Sequence, residues 1–111
     1  MIWGFFKLQE EMGELNTEMG KMGACPEGVH WDGKGHLYNR FMDEAADVTA
    51  AIAYVRHMNP EFNTPERDAE FDARVIMKLR KFGGWGLAGI LRTPICAEKA
   101  DFDLDSAIKT A

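Results

Sequence analysis

The chain has no run of about 18 consecutive apolar residues, the length a helix needs to cross a bilayer, so no membrane-spanning segment is expected. It has no alternating apolar and polar run and no hairpin signal, which argues against a β architecture, and no internal repeat. Cysteine is scarce. Cys25 and Cys96 stand apart, without a CxxC pair or a histidine at zinc spacing, so neither a disulfide framework nor a zinc site is expected. The opening Met1-Ile2-Trp3 meets Lys7, Glu10 and Glu11 too soon for the apolar core of a signal peptide, and a cytoplasmic protein is expected. Positive charge is also in deficit: 13 Lys and Arg against 18 Asp and Glu give a net charge of −5. Nucleic acid and anionic membrane surfaces both require a basic field, so neither is an expected partner.

What is present is helical periodicity. A length of 111 residues with 46% apolar content corresponds to one small domain. Phe5, Leu8, Met12, Leu15, Met19 and Met22 alternate spacings of three and four, predicting an amphipathic helix over about residues 2–22 with these side chains on its buried face. The loop 23–35 carries four glycines and Pro26. A second helix is predicted from Leu37 to Met58, ending before Asn59-Pro60, with Leu37, Phe41, Val48, Ile52 and Val55 inward. Thr64-Pro65 supplies an N-cap and a first-turn proline for a third helix bearing Phe71, Val75, Leu79 and Phe82, with Gly83-Gly84 as its stop. The helical core thus spans about 2–82, residues 83–111 form an extension, and a short helix is expected over 101–110. The fold class is all-α.

Acids fall at informative positions on these helices. Glu11-x-x-Glu14 and Glu44-x-x-Asp47 are pairs at i, i+3 spacing, which places each pair on one helical face. Glu11, Glu14 and Glu18 border the apolar stripe of the first helix; Glu44 lies inside that of the second, with Asp47 at its margin. Glu11 can pair with Lys7, and Glu18 with Lys21. Glu14 and Asp47 have no cation at i±3 or i±4, and like charges at that spacing repel. Such a cluster is a solvated acidic face or a metal site, and the placement of Glu44 favours the metal, because a buried unpaired charge is costly. Oxygen-only ligands point to Mg²⁺, with Mn²⁺ as a substitute.

Glu10-Glu11-Met12-Gly13-Glu14-Leu15 followed by Glu44-Ala45-Ala46-Asp47 resembles the EExxE and ExxD motifs of the MazG-like, all-α nucleoside triphosphate pyrophosphohydrolases, over about residues 5–82. The resemblance implies a helical bundle completed by oligomerisation, Mg²⁺ held by Glu11, Glu14, Glu44 and Asp47, and hydrolysis of an NTP or dNTP to monophosphate and pyrophosphate in nucleotide-pool control. Glu10 and Glu18 would be accessory. The small size resembles bacteriophage-encoded members. Lys78 resembles a helix lysine of the family.

Chemistry for the remaining parts follows from the residues. Glu14 or Glu11 is the candidate general base. Substrate phosphates would be met by Arg40, one turn before Glu44, and by the stripe Arg74, Lys78 and Lys81. The segment from Gly28 to Lys34 matches GxxxxGK, but Gly35 replaces the required Ser or Thr and no strand precedes it, so it is not a P-loop; Lys34 could still reach phosphate from a mobile loop. His30, His36 and His57 are assigned no metal role. Trp31, in its glycine-rich loop, is the expected stacking platform, with Trp3, Phe6 and Tyr54 as other candidates, and stacking favours a purine. Asn16 or Asn39, if buried, would read guanine and rank dGTP or GTP first. Trp3 and Phe6 extend the apolar face of the first helix, so a homodimer or homotetramer is expected. Two other functions fit the acids: a noncatalytic acidic helical module that binds a partner protein, and a metal-dependent phosphohydrolase of another type.

Overall fold

The computed structural model describes residues 2–87 and 103–110, and among these every regular element is helical. None of the described helices is long and apolar enough to cross a membrane. The chain divides into two compact units, Met1–Asn63 and Thr64–Ala111. Cys96 and most of the 83–95 stretch lie outside the described residues.

The first unit is a helical hairpin. Helix α1 spans Phe5–Ala24 and α2 spans Leu37–Met58, followed by a 3-10 turn at Pro60–Phe62. The two helices run antiparallel, since the start of α1 meets the end of α2 at Trp3 and Asn59 while Glu18 meets Arg40. The bounds of α2 are those expected. Its N-cap is His36, whose ring nitrogen accepts from the Tyr38 amide at 3.2 Å.

Helix α1 starts later than expected, at Phe5 rather than residue 2, because Asn59 captures the backbone of Trp3. The buried carboxamide accepts from Trp3 N at 2.9 Å and donates to Trp3 O at 2.9 Å and Val55 O at 2.6 Å. Gly4 then turns the chain in a left-handed conformation, φ +83°, which suits glycine. A Cβ there would lie 2.8 Å from Tyr54 Cδ1.

The packed face of α1 also differs from the expected stripe. Phe5, Met12 and Met19 are exposed, and Leu8, Glu11, Leu15, Glu18 and Met22 face inward. The spacings are still three and four, but two of the five positions carry carboxylates. On α2 the predicted Leu37, Phe41, Val48, Ile52 and Val55 do face inward, with Glu44 among them, and Arg40 joins them.

The connecting loop is tied to α2 by hydrogen bonds. Leu37, fully buried, donates its amide to Gly28 O at 2.8 Å, and the Tyr38 hydroxyl donates to Pro26 O. Gly28 adopts φ +85°, and a Cβ there would sit 2.1 Å from His36 Cε1, so this position excludes a side chain.

In the second unit α3 spans Pro65–Leu87 and packs on α4, Leu104–Thr110. Thr64 caps α3 as expected, its Oγ1 accepting from Arg67 N at 3.2 Å. Gly83-Gly84 does not stop the helix, which continues to Leu87. Glycine costs about 1 kcal/mol per helical position relative to alanine but forbids nothing, and no proline follows before Pro94. Asp103 caps α4, its carboxylate accepting from the amides of Asp105 at 3.1 Å and Ser106 at 3.3 Å.

Candidate metal centre

Midway along the hairpin, the i, i+3 pair of α1 faces the i, i+3 pair of α2. Glu11, Glu14, Glu44 and Asp47 each present one carboxylate oxygen, and these atoms all lie within 4.8 Å of one another. Glu11 is buried, Glu44 half-buried, and Glu14 and Asp47 exposed, so the cluster has an inner side closed by helix packing and an outer side open to solvent. Ala45 and Ala51 lie on the inward side of α2.

Charge at the cluster is incompletely balanced. Lys7 Nζ sits 3.2 Å from Glu11 Oε1 and 3.4 Å from Glu10 Oε2; the Glu11 carboxylate beside it raises the lysine pKa, with Glu10 adding to the effect. No cation lies within 4.0 Å of Glu14 or Asp47 among the described residues. The charge of Glu11, with partial desolvation and the charge of Glu44, pushes the Glu14 carboxyl above its ordinary value. Glu11 Oε2 and Glu44 Oε2 are both buried with no hydrogen-bond partner, as is Glu18 Oε2 outside the cluster. Buried acceptors are nearly always satisfied, so two orphaned oxygens within one four-carboxylate cluster fit a hard divalent cation.

Comparison of the chain with protein-family models, with curated proteins and with solved structures found no match.

One turn further along, a second polar cluster has a different character. Arg40 forks onto Asp32, Nη1 to Oδ1 at 3.0 Å and Nη2 to Oδ2 at 3.2 Å, and Nη2 also donates to Glu18 Oε1 at 3.0 Å. Lys21 lies 3.4 Å from Glu18 and 3.5 Å from Asp32, and His30 Nδ1 lies 3.0 Å from Asp32. The guanidinium, with the Lys34 amide, holds the Asp32 carboxyl far below its usual range. These charges are largely neutralised within the cluster, which ties the loop to both helices. Arg40 is thus committed to Asp32 and Glu18.

The other candidate residues are placed as follows. Trp31 is 89% exposed, with its ring centroid 4.9 Å from that of His30. Lys34 is exposed on the same loop. Lys78 and Lys81 are on α3 in the second unit, Lys78 half-buried beside Arg74 and Phe71 in a groove of about 300 Å³. Asn16 and Asn39 are exposed, so neither is a buried base reader; the buried asparagine is Asn59, and its polar atoms are engaged by backbone.

Sequence reasoning missed Asp32. Its only signal was an acid two residues after His30 in a loop, and nothing in helical spacing links it to Arg40.

Proposed function

We propose that this protein is a divalent-cation-dependent (d)NTP pyrophosphohydrolase of MazG-like type, with Glu11, Glu14, Glu44 and Asp47 holding Mg²⁺ or Mn²⁺. The observation that carries the reading is the convergence of four carboxylates from two helices, two of them with buried, unpartnered oxygens. A cation bound there would supply charge neutralisation and Lewis acidity toward a triphosphate. Glu14 is the exposed member on the α1 side and is within reach of solvent, so it is the preferred proton acceptor, with Glu11 as the alternative. In the hydrolysis, water oxygen bonds to phosphorus, the bridging P–O bond between the α and β phosphates breaks, and the water proton passes to the carboxylate. The products are nucleoside monophosphate and pyrophosphate.

The exposed Phe6, Met12 and Met19 on α1 support assembly into a homodimer or homotetramer. Stacking supports a purine over a pyrimidine substrate. The test is a panel of NTPs and dNTPs with Mg²⁺, with products separated as mono- and diphosphates. Monophosphate plus pyrophosphate, abolished by EDTA, is expected; diphosphate plus inorganic phosphate would overturn the assignment in favour of another phosphohydrolase chemistry.

A further inference from the structure

A cleft of about 320 Å³ opens directly from the acid cluster, lined by Glu11 and Asp47 at one end and by Ala50, Ala51, Lys7 and Tyr54 beyond them. Its volume is at the lower bound of small-molecule sites, about 300–1,000 Å³. Its direction is fixed by the antiparallel hairpin: along α2 it runs from Asp47 past two alanines to Tyr54, seven residues or about 10 Å at the helical rise. The alanines contribute no side chain beyond Cβ, which is what leaves a slot there. Ala51 is 6% exposed and forms the floor. Tyr54 is half exposed, at 48%, and its ring is braced from behind, because the missing Cβ of Gly4 lets it lie against the backbone. Gly4 in turn is held by the Asn59 clamp on Trp3. Lys7 adds one positive charge at the rim, beside Glu11.

We infer that this cleft takes the nucleoside part of the substrate, with the Tyr54 ring as the wall on which the base stacks. The inference rests on the pyrophosphohydrolase reading, which puts the phosphates at the carboxylates. A ligand whose phosphates sit there has a pentose-length path over Ala50 and Ala51 before its base reaches the tyrosine. Lys7, which lines the same cleft beside Glu11, offers a positive charge to the same polyanion. This gives Tyr54, rather than Trp31 on its outward-facing loop, the specificity-determining role.

Two kinds of substitution test it without depending on turnover. Ala50 is an exposed helical position, so Ala50→Leu fills the slot with a good helix former; Tyr54→Ala removes the wall, and Tyr54→Phe restores the ring. The measurement is calorimetric titration with α,β-methylene dATP in Mg²⁺, a non-hydrolysable probe, on the full chain, with Mn²⁺ affinity as the check that the acid cluster is intact. Ala50→Leu and Tyr54→Ala are each expected to weaken the probe about tenfold or more, the scale of a lost base stack, with Mn²⁺ affinity unchanged, and Tyr54→Phe is expected to recover most of the loss. Unchanged probe affinity in both variants, or a loss confined to Trp31→Ala, overturns the inference while the pyrophosphohydrolase reading stands. Probe binding that depends on Tyr54 and Ala50 in a protein that hydrolyses no (d)NTP supports the cleft and overturns the catalytic reading. No probe binding by the wild type overturns both.

Discussion

Asn59→Ala is the perturbation whose cost can be worked most directly from the structure. Asn59 is 1% exposed and makes three hydrogen bonds, one from Trp3 N, one to Trp3 O and one to Val55 O. A net value of about 1 kcal/mol for each gives a loss of about 3 kcal/mol. For a domain of about 60–100 residues each kcal/mol moves the midpoint by about 4–8 °C, so Tm should fall by about 12–24 °C. Thermal unfolding followed by far-ultraviolet circular dichroism measures this. Asn59→Asp keeps the acceptor for Trp3 N, loses both donors and adds a buried charge, so it should be no more stable than Asn59→Ala. Hydrogen exchange should speed up first at residues 2–8, since the clamp holds the entry to α1. A midpoint within about 3 °C of wild type, under 1 kcal/mol by the same conversion, would refute the idea that this residue ties the two ends of the hairpin together.

Three further outcomes are expected. Glu14→Gln and Asp47→Asn should each abolish turnover while leaving the metal-free protein equally or more stable, because each removes like-charge repulsion; activity within about tenfold of wild type, under 1.4 kcal/mol in the barrier, would contradict this. The metal-free protein should become more stable as pH falls from neutrality toward 4.5, the ordinary value of a glutamate, because Glu14 has a raised pKa when folded and folding therefore takes up a proton across that window. Below 3.8 the trend should reverse, because Arg40 keeps Asp32 ionised in the folded state while the unfolded chain takes up the proton; a midpoint that only falls with acid, or an acid-side gain that survives Glu14→Gln, would contradict the sign. Light scattering at micromolar concentration should give a dimer or tetramer, and an active monomer would refute the assembly.

The limits of α2 were legible because Leu37, its apolar face and Asn59-Pro60 all agree, and the start of α3 was legible because Thr64-Pro65 combines a cap with a residue that favours the first turn. The four acids were legible as a group because two i, i+3 pairs on facing helices need only the correct pairing of those helices to meet. The inward face of α1 was legible in part: Leu8, Leu15 and Met22 face inward as expected, whereas Glu11 and Glu18 stand where Met12 and Met19 were expected. The stripes through Met12 and Met19 and through Glu11 and Glu18 are offset by one residue, and hydrophobicity favours the methionines; what reverses the choice at Glu18 is Arg40, on an element remote in sequence, with Lys21 one turn along the same helix adding to it. Arg40 read as a phosphate contact for the same reason, since its partner Asp32 lies in a loop eight residues away and outside any helical neighbour rule. Continuation of α3 through Gly83-Gly84 shows the limit of propensity: a weak local cost does not decide where a packed helix ends.

The central claim is that four carboxylates from two helices form one cation site, and Mn²⁺ binding followed by electron paramagnetic resonance on the wild type and Glu44→Gln tests it most directly. Glu44 is the half-buried acid that α2 contributes, and like Glu11 it has a buried, unpartnered oxygen, so its amide should weaken Mn²⁺ binding at least tenfold with the helical circular dichroism signal retained. Wild-type protein that binds no Mn²⁺, or a Glu44→Gln variant that binds it as tightly as wild type, would contradict the account.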